Sequence, residues 1–229
     1  MGLPGDRRWA IAHARCAFDP VAPTYLNKSH YIVLMNTPAM AGMTVTHDVE
    51  TECLTLEKDG AVLAQGRLTD PDGRAALEAA LLSQAGAERW GSATLVSAQG
   101  MMFSDIPDKA ISITNTQSCA ALSAAAGIDL DPLRFRGNVI VDGPAWSEND
   151  LVGKRARVGG AEIEIFAKIQ RCAATHVDPA RGKRDIDLCA LLREIRGDQD
   201  CGVYARIVSG GAIAVGDAIT PTLEPSPQA

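Results

Sequence analysis

Long apolar runs are missing from this 229-residue chain, and so are paired cysteines at metal-binding spacing, a surplus of positive charge and any internal repeat. Each absence removes a class of protein. No apolar stretch reaches the roughly 20 residues that a membrane helix needs, the nearest being the alanine-rich run before Gly127, so no membrane partner is expected. The opening MGLPGDRRWAIAHARC places charges ahead of any long apolar segment, which does not read as a secretory signal. A cytoplasmic protein is the expectation. Lys and Arg number 22 against 28 Asp and Glu, a formal charge of -6, which argues against nucleic acid or anionic membrane as the main partner. The six cysteines, at 16, 53, 119, 172, 189 and 201, include no Cys-x-x-Cys pair, so neither a zinc finger nor a disulfide framework is indicated. Also lacking are a Gly-x-Ser-x-Gly elbow, a Gly-x-x-x-x-Gly-Lys loop, a His-Glu-x-x-His helix and a Gly-x-Gly-x-x-Gly turn.

What is present is ordinary globular composition, with 46% hydrophobic and 22% charged residues. Short apolar runs separated by glycine turns dominate. Strands are predicted at Trp9 to His13, Tyr31 to Met35, Ala93 to Val96, Ile111 to Ile113 and Val139 to Val141. Hairpins are predicted around Asp59-Gly60, around Gly159-Gly160 between Val152 to Val158 and Ala161 to Ile169, and around Ser209 to Gly211 before Ala212 to Val215. Helices are expected at 74–84, 116–125 and 187–196, closed by Gly86, Gly127 and Gly197. The fold class is mainly β with peripheral helices (α+β), a curled, mostly antiparallel barrel or sandwich. A soft lobe boundary falls in the loop from Gly100 to Lys109, and the tail PTLEPSPQA is expected to fray.

The chemistry is placed between Ile169 and Asp185, IQRCAATHVDPARGKRD. Cys172 stands where a strand gives way to a loop and directly follows Arg171, a setting that favours thiolate. A thiolate can serve as nucleophile, redox centre or soft-metal ligand, and a buried structural cysteine is the bland alternative. Guanidinium groups recur at strand ends: Arg7 and Arg8, Arg134 and Arg136, and Arg171. Such forks suit a phosphate or another planar anion, with Asn138 offering a donor and an acceptor to a heterocycle edge. For Arg8 or Arg134 alone, a solvated salt bridge is the preferred reading. Asp105 is either a general base near the sulfur or a turn residue. Trp146 and Glu148 are expected to pack and cap locally, and Asp178-Pro179 to form a turn.

Several segments together resemble the MOSC family, named after the C-terminal domain of molybdenum cofactor sulfurase: DRRWA (6–10), SD (104–105), RFRGNVIVDG (134–143), AWSENDLVGKRARVGG (145–160), RCAATHVDPARGKRD (171–185) and GVYARIVSGGAIAVGD (202–217). The family includes the mitochondrial amidoxime-reducing component and bacterial relatives. The likeness runs from about Asp6 to Ile219 and is densest after Ser104. It implies a MOSC-type β-barrel over 104–222, a smaller N-terminal β lobe over 1–103 and a disordered tail over 223–229. It also implies a molybdenum cofactor (molybdopterin) whose metal is bound by Cys172, with Gln170, Arg171, Arg136 and Asn138 around it, Arg7 at the phosphate end and Asp105 near the open face of the metal. Relatives usually begin with a strand carrying Pro-x-Lys-Ser, and this sequence starts just after that point, so the first lobe is expected to lack a strand.

The function implied is reduction of N-oxygenated compounds such as hydroxylamines and amidoximes. No flavin, haem or iron-sulfur motif is visible, so electrons are expected from a separate protein. Two alternatives stay open: a carrier that bears a persulfide on Cys172 or shuttles the cofactor, and a non-catalytic binding module.

Overall fold

The computed structural model describes residue 3 and residues 5–222; the expected frayed tail over 223–229 lies outside the described residues. In chain order the elements are β1 (Ala10–His13), β2 (Met43–Asp48), β3 (Cys53–Lys58), β4 (Ala61–Arg67), α1 (Pro71–Ala85), α2 (Ala87–Trp90), β5 (Ala93–Val96), β6 (Ile111–Asn115), α3 (Thr116–Ala126) and β7 (Val139–Val141). There follow β8 (Arg155–Val158), β9 (Ala161–Gln170), β10 (Val177–Asp178), β11 (Lys183–Arg184), α4 (Leu188–Arg196), β12 (Asp200–Ser209) and β13 (Ile219–Pro221). The chain is mainly β with peripheral helices. Its described residues divide into two compact units: the first is 5–108 with 176–186, and the second is residue 3 with 109–175 and 187–222.

In the first unit, β2, β3 and β4 form an antiparallel sheet, β1 pairs with β5, and β10 pairs with β11. The β3–β4 turn works because Asp59 and Gly60 both take positive φ, 52° and 78°, the twist that joins two right-handed strands. Helix α1 starts where the Asp70 carboxylate accepts from the amide of Gly73 and Pro71 supplies a preset φ, and it stops at Gly86. Its buried face carries Leu77 and Leu81 onto Leu56, Leu68, Trp90 and Leu95. Each leucine so buried contributes about 1.5–3 kcal/mol.

The second unit is a curled, open six-stranded sheet in the order β13-β8-β9-β12-β6-β7, antiparallel except for the parallel pair β6–β7. Its core is Ile111, Ile113, Ala156, Val158, Ile163, Ile165, Val203 and Ala205. Strand β9 buries alternate residues from Ala161 to Ile165, the period-two pattern of a strand with one covered face. Three register shifts along the β9–β12 pair bend the sheet. The parallel pair needs a crossover, which α3 and the turn Pro132–Phe135 provide.

Three expected elements come out differently. Tyr31 to Met35 is no strand: Tyr31 makes a single bridge to Ala12, and the amides of Asn36 and Thr37 both turn back onto the Val33 carbonyl at 3.0 Å. Ala212 to Val215 does not pair back onto β12, whose partners are β9 and, over Val203 to Ala205, β6. The segment folds over the Gly159-Gly160 turn instead, and β13 adds to the vacant edge of β8. The strand expected from Val152 begins only at Arg155. Strand β2 is absent from the predicted elements although Met-Thr-Val-Thr alternates apolar and polar residues; it forms through its ladder with β3.

Candidate cofactor-binding site around Cys172

Strand β9 ends at Gln170, and the residue after it turns its side chain inward. Arg171 is 7% exposed, and its guanidinium donates through Nε to the Cys201 carbonyl at 2.6 Å and through Nη1 to the Phe135 carbonyl at 2.8 Å and lies over the Phe135 ring, 5.1 Å from its centroid. Burial draws its pKa below the ordinary value, opposed by the neighbouring Cys201, Tyr204 and Cys172. Its Nη2 has no hydrogen-bond partner among the described residues. The space around Nη2 is tight because Gly202 sits there at φ +84°; a Cβ on that residue would lie 2.8 Å from Nη2 and 2.5 Å from the Ile113 carbonyl oxygen. The sequence places this guanidinium beside the thiol as a local cation. In the structure two of its three nitrogens are committed to main-chain carbonyls.

A second arginine runs the opposite way. Arg134, expected from the sequence as a solvated ion pair, is 4% exposed and donates through Nη1 to the Thr175 carbonyl at 3.3 Å. Thr175 in turn donates to the Cys172 carbonyl through its amide at 3.0 Å and its hydroxyl at 2.9 Å. Arg171 therefore reaches from the cysteine loop into the 134–138 loop, and Arg134 reaches back. This pair of crossed arginines is the signal that sequence reading missed, because nothing in RFR tells a buried guanidinium from an exposed one.

The crossing fixes what the 134–138 loop presents. Arg136 is exposed, at φ 53°, where the turn Pro132–Phe135 ends. Gly137 follows because Thr114 of β6 lies directly beneath it, with Oγ1 2.4 Å from where a Cβ would sit. Asn138 docks the loop on the strand: its Oδ1 accepts from the amide and hydroxyl of Ser112, both at 2.9 Å, and its own amide donates to the Ser112 carbonyl at 2.8 Å. The carboxamide oxygen expected to meet a heterocycle edge thus serves the β6–β7 junction.

Cys172 is half-buried and Gln170 exposed. Against the same loop lies a thiol that the sequence does not single out. Cys189, in the first turn of α4, is buried and donates to the Arg171 carbonyl at 3.4 Å. Burial pushes that thiol up, helped by Asp187 and Cys172 and opposed by Arg193 and a hydrogen bond with Thr175. Glu148, expected to cap locally, is 2% exposed and accepts from the Ser118 hydroxyl and the Asn115 amide, each at 3.0 Å.

Arg7 and Asp105 belong to the first unit. Arg7 is half-buried at φ 48°, pairs with Asp6 at 2.6 Å and accepts at its carbonyl from the Phe103 amide at 2.8 Å. Asp105 is exposed, its carboxylate 3.8 Å from Lys28 Nζ, and its carbonyl accepts from the Tyr25 hydroxyl at 2.9 Å. Tyr25 is raised above the ordinary phenol value by burial first and by Asp105 second. Arg8 pairs with Glu52, the exposed salt bridge that the sequence suggests.

Comparison with known proteins bears directly on this loop pair. The MOSC domain model matches residues 98–220. The proteins named molybdenum cofactor sulfurase from Caenorhabditis briggsae and Caenorhabditis elegans are each 31% identical over 106 residues, 44% of this chain and 15% of the relative, so the chain spans only a small part of those proteins. Among solved structures, YiiM from Geobacillus stearothermophilus aligns with TM-score 0.41 and 19% identity over 49% of this chain and 54% of the other. More than half of the sequence, including both crossed-arginine loops, lies within the family match, and the chain belongs to the MOSC domain family.

Proposed function

We propose that this protein binds a molybdenum cofactor and reduces N-oxygenated compounds, with electrons supplied by a separate redox protein. The observation that supports this reading is the reciprocal tie between Arg171 and the Phe135 carbonyl and between Arg134 and the Thr175 carbonyl. It holds a half-buried cysteine, Cys172, and an exposed arginine, Arg136, on two adjoining loops. The donor chemistry suits the group: Cys172 would ligate the metal, Arg136 would pair with the anionic pterin substituent, and the Gln170 amide would donate to the ligand edge. Arg171 and Asn138, spent on main-chain and Ser112 partners, act as positioning residues that keep the two loops in register. When bound, the cofactor supplies a two-electron couple suited to removing oxygen from nitrogen.

The test is metal analysis of protein produced in cells supplied with the cofactor, together with a dye-driven assay on benzamidoxime. Stoichiometric molybdenum and turnover, both lost in Cys172→Ala, are expected; undiminished turnover in that variant, or no molybdenum in the parent protein, overturns the proposal.

A second reading has one observation in its favour, the name molybdenum cofactor sulfurase carried by the matching relatives. On it, Cys172 bears a persulfide. Mass spectrometry of freshly isolated protein would then find a sulfur atom on Cys172 that reductant removes, and an unmodified thiol would rule it out.

A further inference from the structure

The neighbour of Cys172 across the loop is another thiol. Cys189 Sγ lies 3.4 Å from the Arg171 carbonyl oxygen, and that oxygen is separated from the Cys172 Cα by a single peptide unit. Standard backbone dimensions therefore put the Cys189 sulfur within about 6 Å of the Cys172 Cα. A cysteine sulfur lies within about 3 Å of its own Cα, so the two Cα atoms are at most about 9 Å apart. Disulfides join residues whose Cα atoms are about 4.4–6.8 Å apart, so a rotamer change and a backbone shift of at most about 2 Å at the α4 N-terminus bring the sulfurs to bonding distance. Thr175 braces the same loop, its hydroxyl donating to the Cys172 carbonyl at 2.9 Å. The two thiols differ in access. Cys172 is half-buried, whereas Cys189 is 7% exposed.

From this geometry we infer that Cys172 and Cys189 form a reversible disulfide under peroxide, a modification site that removes Cys172 from metal binding. The order of events follows exposure. The Cys172 sulfur displaces hydroxide from hydrogen peroxide, breaking the O–O bond and giving a sulfenic acid. The Cys189 sulfur then attacks the oxidised sulfur, the S–O bond breaks, and water leaves with the proton of Cys189. In sum, two thiols lose two electrons and two protons, and one peroxide becomes two waters. A small-molecule dithiol returns both thiols. The consequence for metal binding rests on the function proposed above; the cross-link itself does not.

The experiment treats the intact, metal-free chain with one equivalent of hydrogen peroxide, alkylates the remaining thiols and maps peptides without reduction. The expected result is the loss of two hydrogens, a linked pair of peptides holding Cys172 and Cys189, and its reversal by dithiothreitol. In Cys189→Ser, and in Cys189→Ala as a second variant should the first unfold, Cys172 instead yields a dimedone adduct and proceeds to sulfinic acid. Wild-type protein in which Cys172 reaches sulfinic acid while Cys189 is still alkylated, or in which Cys172 pairs with another cysteine, overturns the inference. Reduced protein that binds no molybdenum would sink the proposed function and leave the cross-link standing.

Discussion

The Nη1 nitrogen of Arg171 stands 2.8 Å from the Phe135 carbonyl oxygen, which joins the residue preceding Cys172 to the residue preceding Arg136. Replacing Arg171 by methionine leaves two buried acceptors, the carbonyls of Phe135 and Cys201, without this donor. An unsatisfied buried acceptor costs about 1–3 kcal/mol, so a loss of roughly 3 kcal/mol is expected in urea unfolding, with m unchanged. Arg171→Lys, whose single ammonium can reach one carbonyl, should fall between. A change in Arg171→Met of under about 0.5 kcal/mol, the ordinary range for surface substitutions, would mean that the loops are held by something else.

Arg136 separates binding from folding. It is exposed and sits at φ 53°, a conformation that glycine adopts without strain. Arg136→Gly should therefore leave the unfolding midpoint nearly unchanged while cofactor retention falls tenfold or more, the equivalent of about 1.4 kcal/mol. Equilibrium dialysis of the parent and variant proteins reads this directly. Retention equal to the parent's would remove Arg136 from the site.

Gly202 is predicted to tolerate no side chain. With φ at +84°, and with Cβ space already taken by the Ile113 carbonyl and Arg171 Nη2, Gly202→Ala must move backbone or displace the guanidinium. A destabilisation of about 2–4 kcal/mol is expected. Thermal melts check it, and a melting temperature within a degree of the parent's would contradict the close packing.

How much of this was legible beforehand depended on the range of the interaction. The Asp59-Gly60 hairpin and the 71–85 helix announce themselves because their turn and cap residues act on their own backbone. Ala212 to Val215 is misread because its partner is the Gly159-Gly160 turn, far away in sequence, rather than the adjoining strand. The site divides the same way. Cys172 at a strand end and Arg136 ahead of Gly-Asn are local patterns, whereas the inward turn of Arg171 and Arg134 depends on carbonyls contributed by β12 and by each other's loop. Family likeness located the segments but could not tell a ligand-facing arginine from one that braces the frame.

Stability should fall at alkaline pH for a reason lodged in the second unit. Burial pushes the Cys201 thiol up to about 12 and the Cys119 thiol up to about 11, from an ordinary 9.0. A raised folded-state pKa means that the native state holds the proton more tightly than the unfolded chain. The associated stability is complete below about pH 9 and is lost as pH climbs towards 11 and 12. Urea midpoints taken between pH 8 and 11 should decline, and decline less steeply in Cys201→Ala. Equal slopes in the two proteins would exclude Cys201 as the source.

Strand β6 has all five of its residues buried, yet one of its neighbours, β12, is made well after it, so Ile113 waits for Val203. Until then the ribosome presents a sticky ribbon with an open edge, the kind of surface that chaperones shield and that sister chains can capture. Yield in a production host thus depends on how soon the stretch from β7 to β12 follows β6 out of the ribosome, and slow codons within that stretch lengthen the exposure.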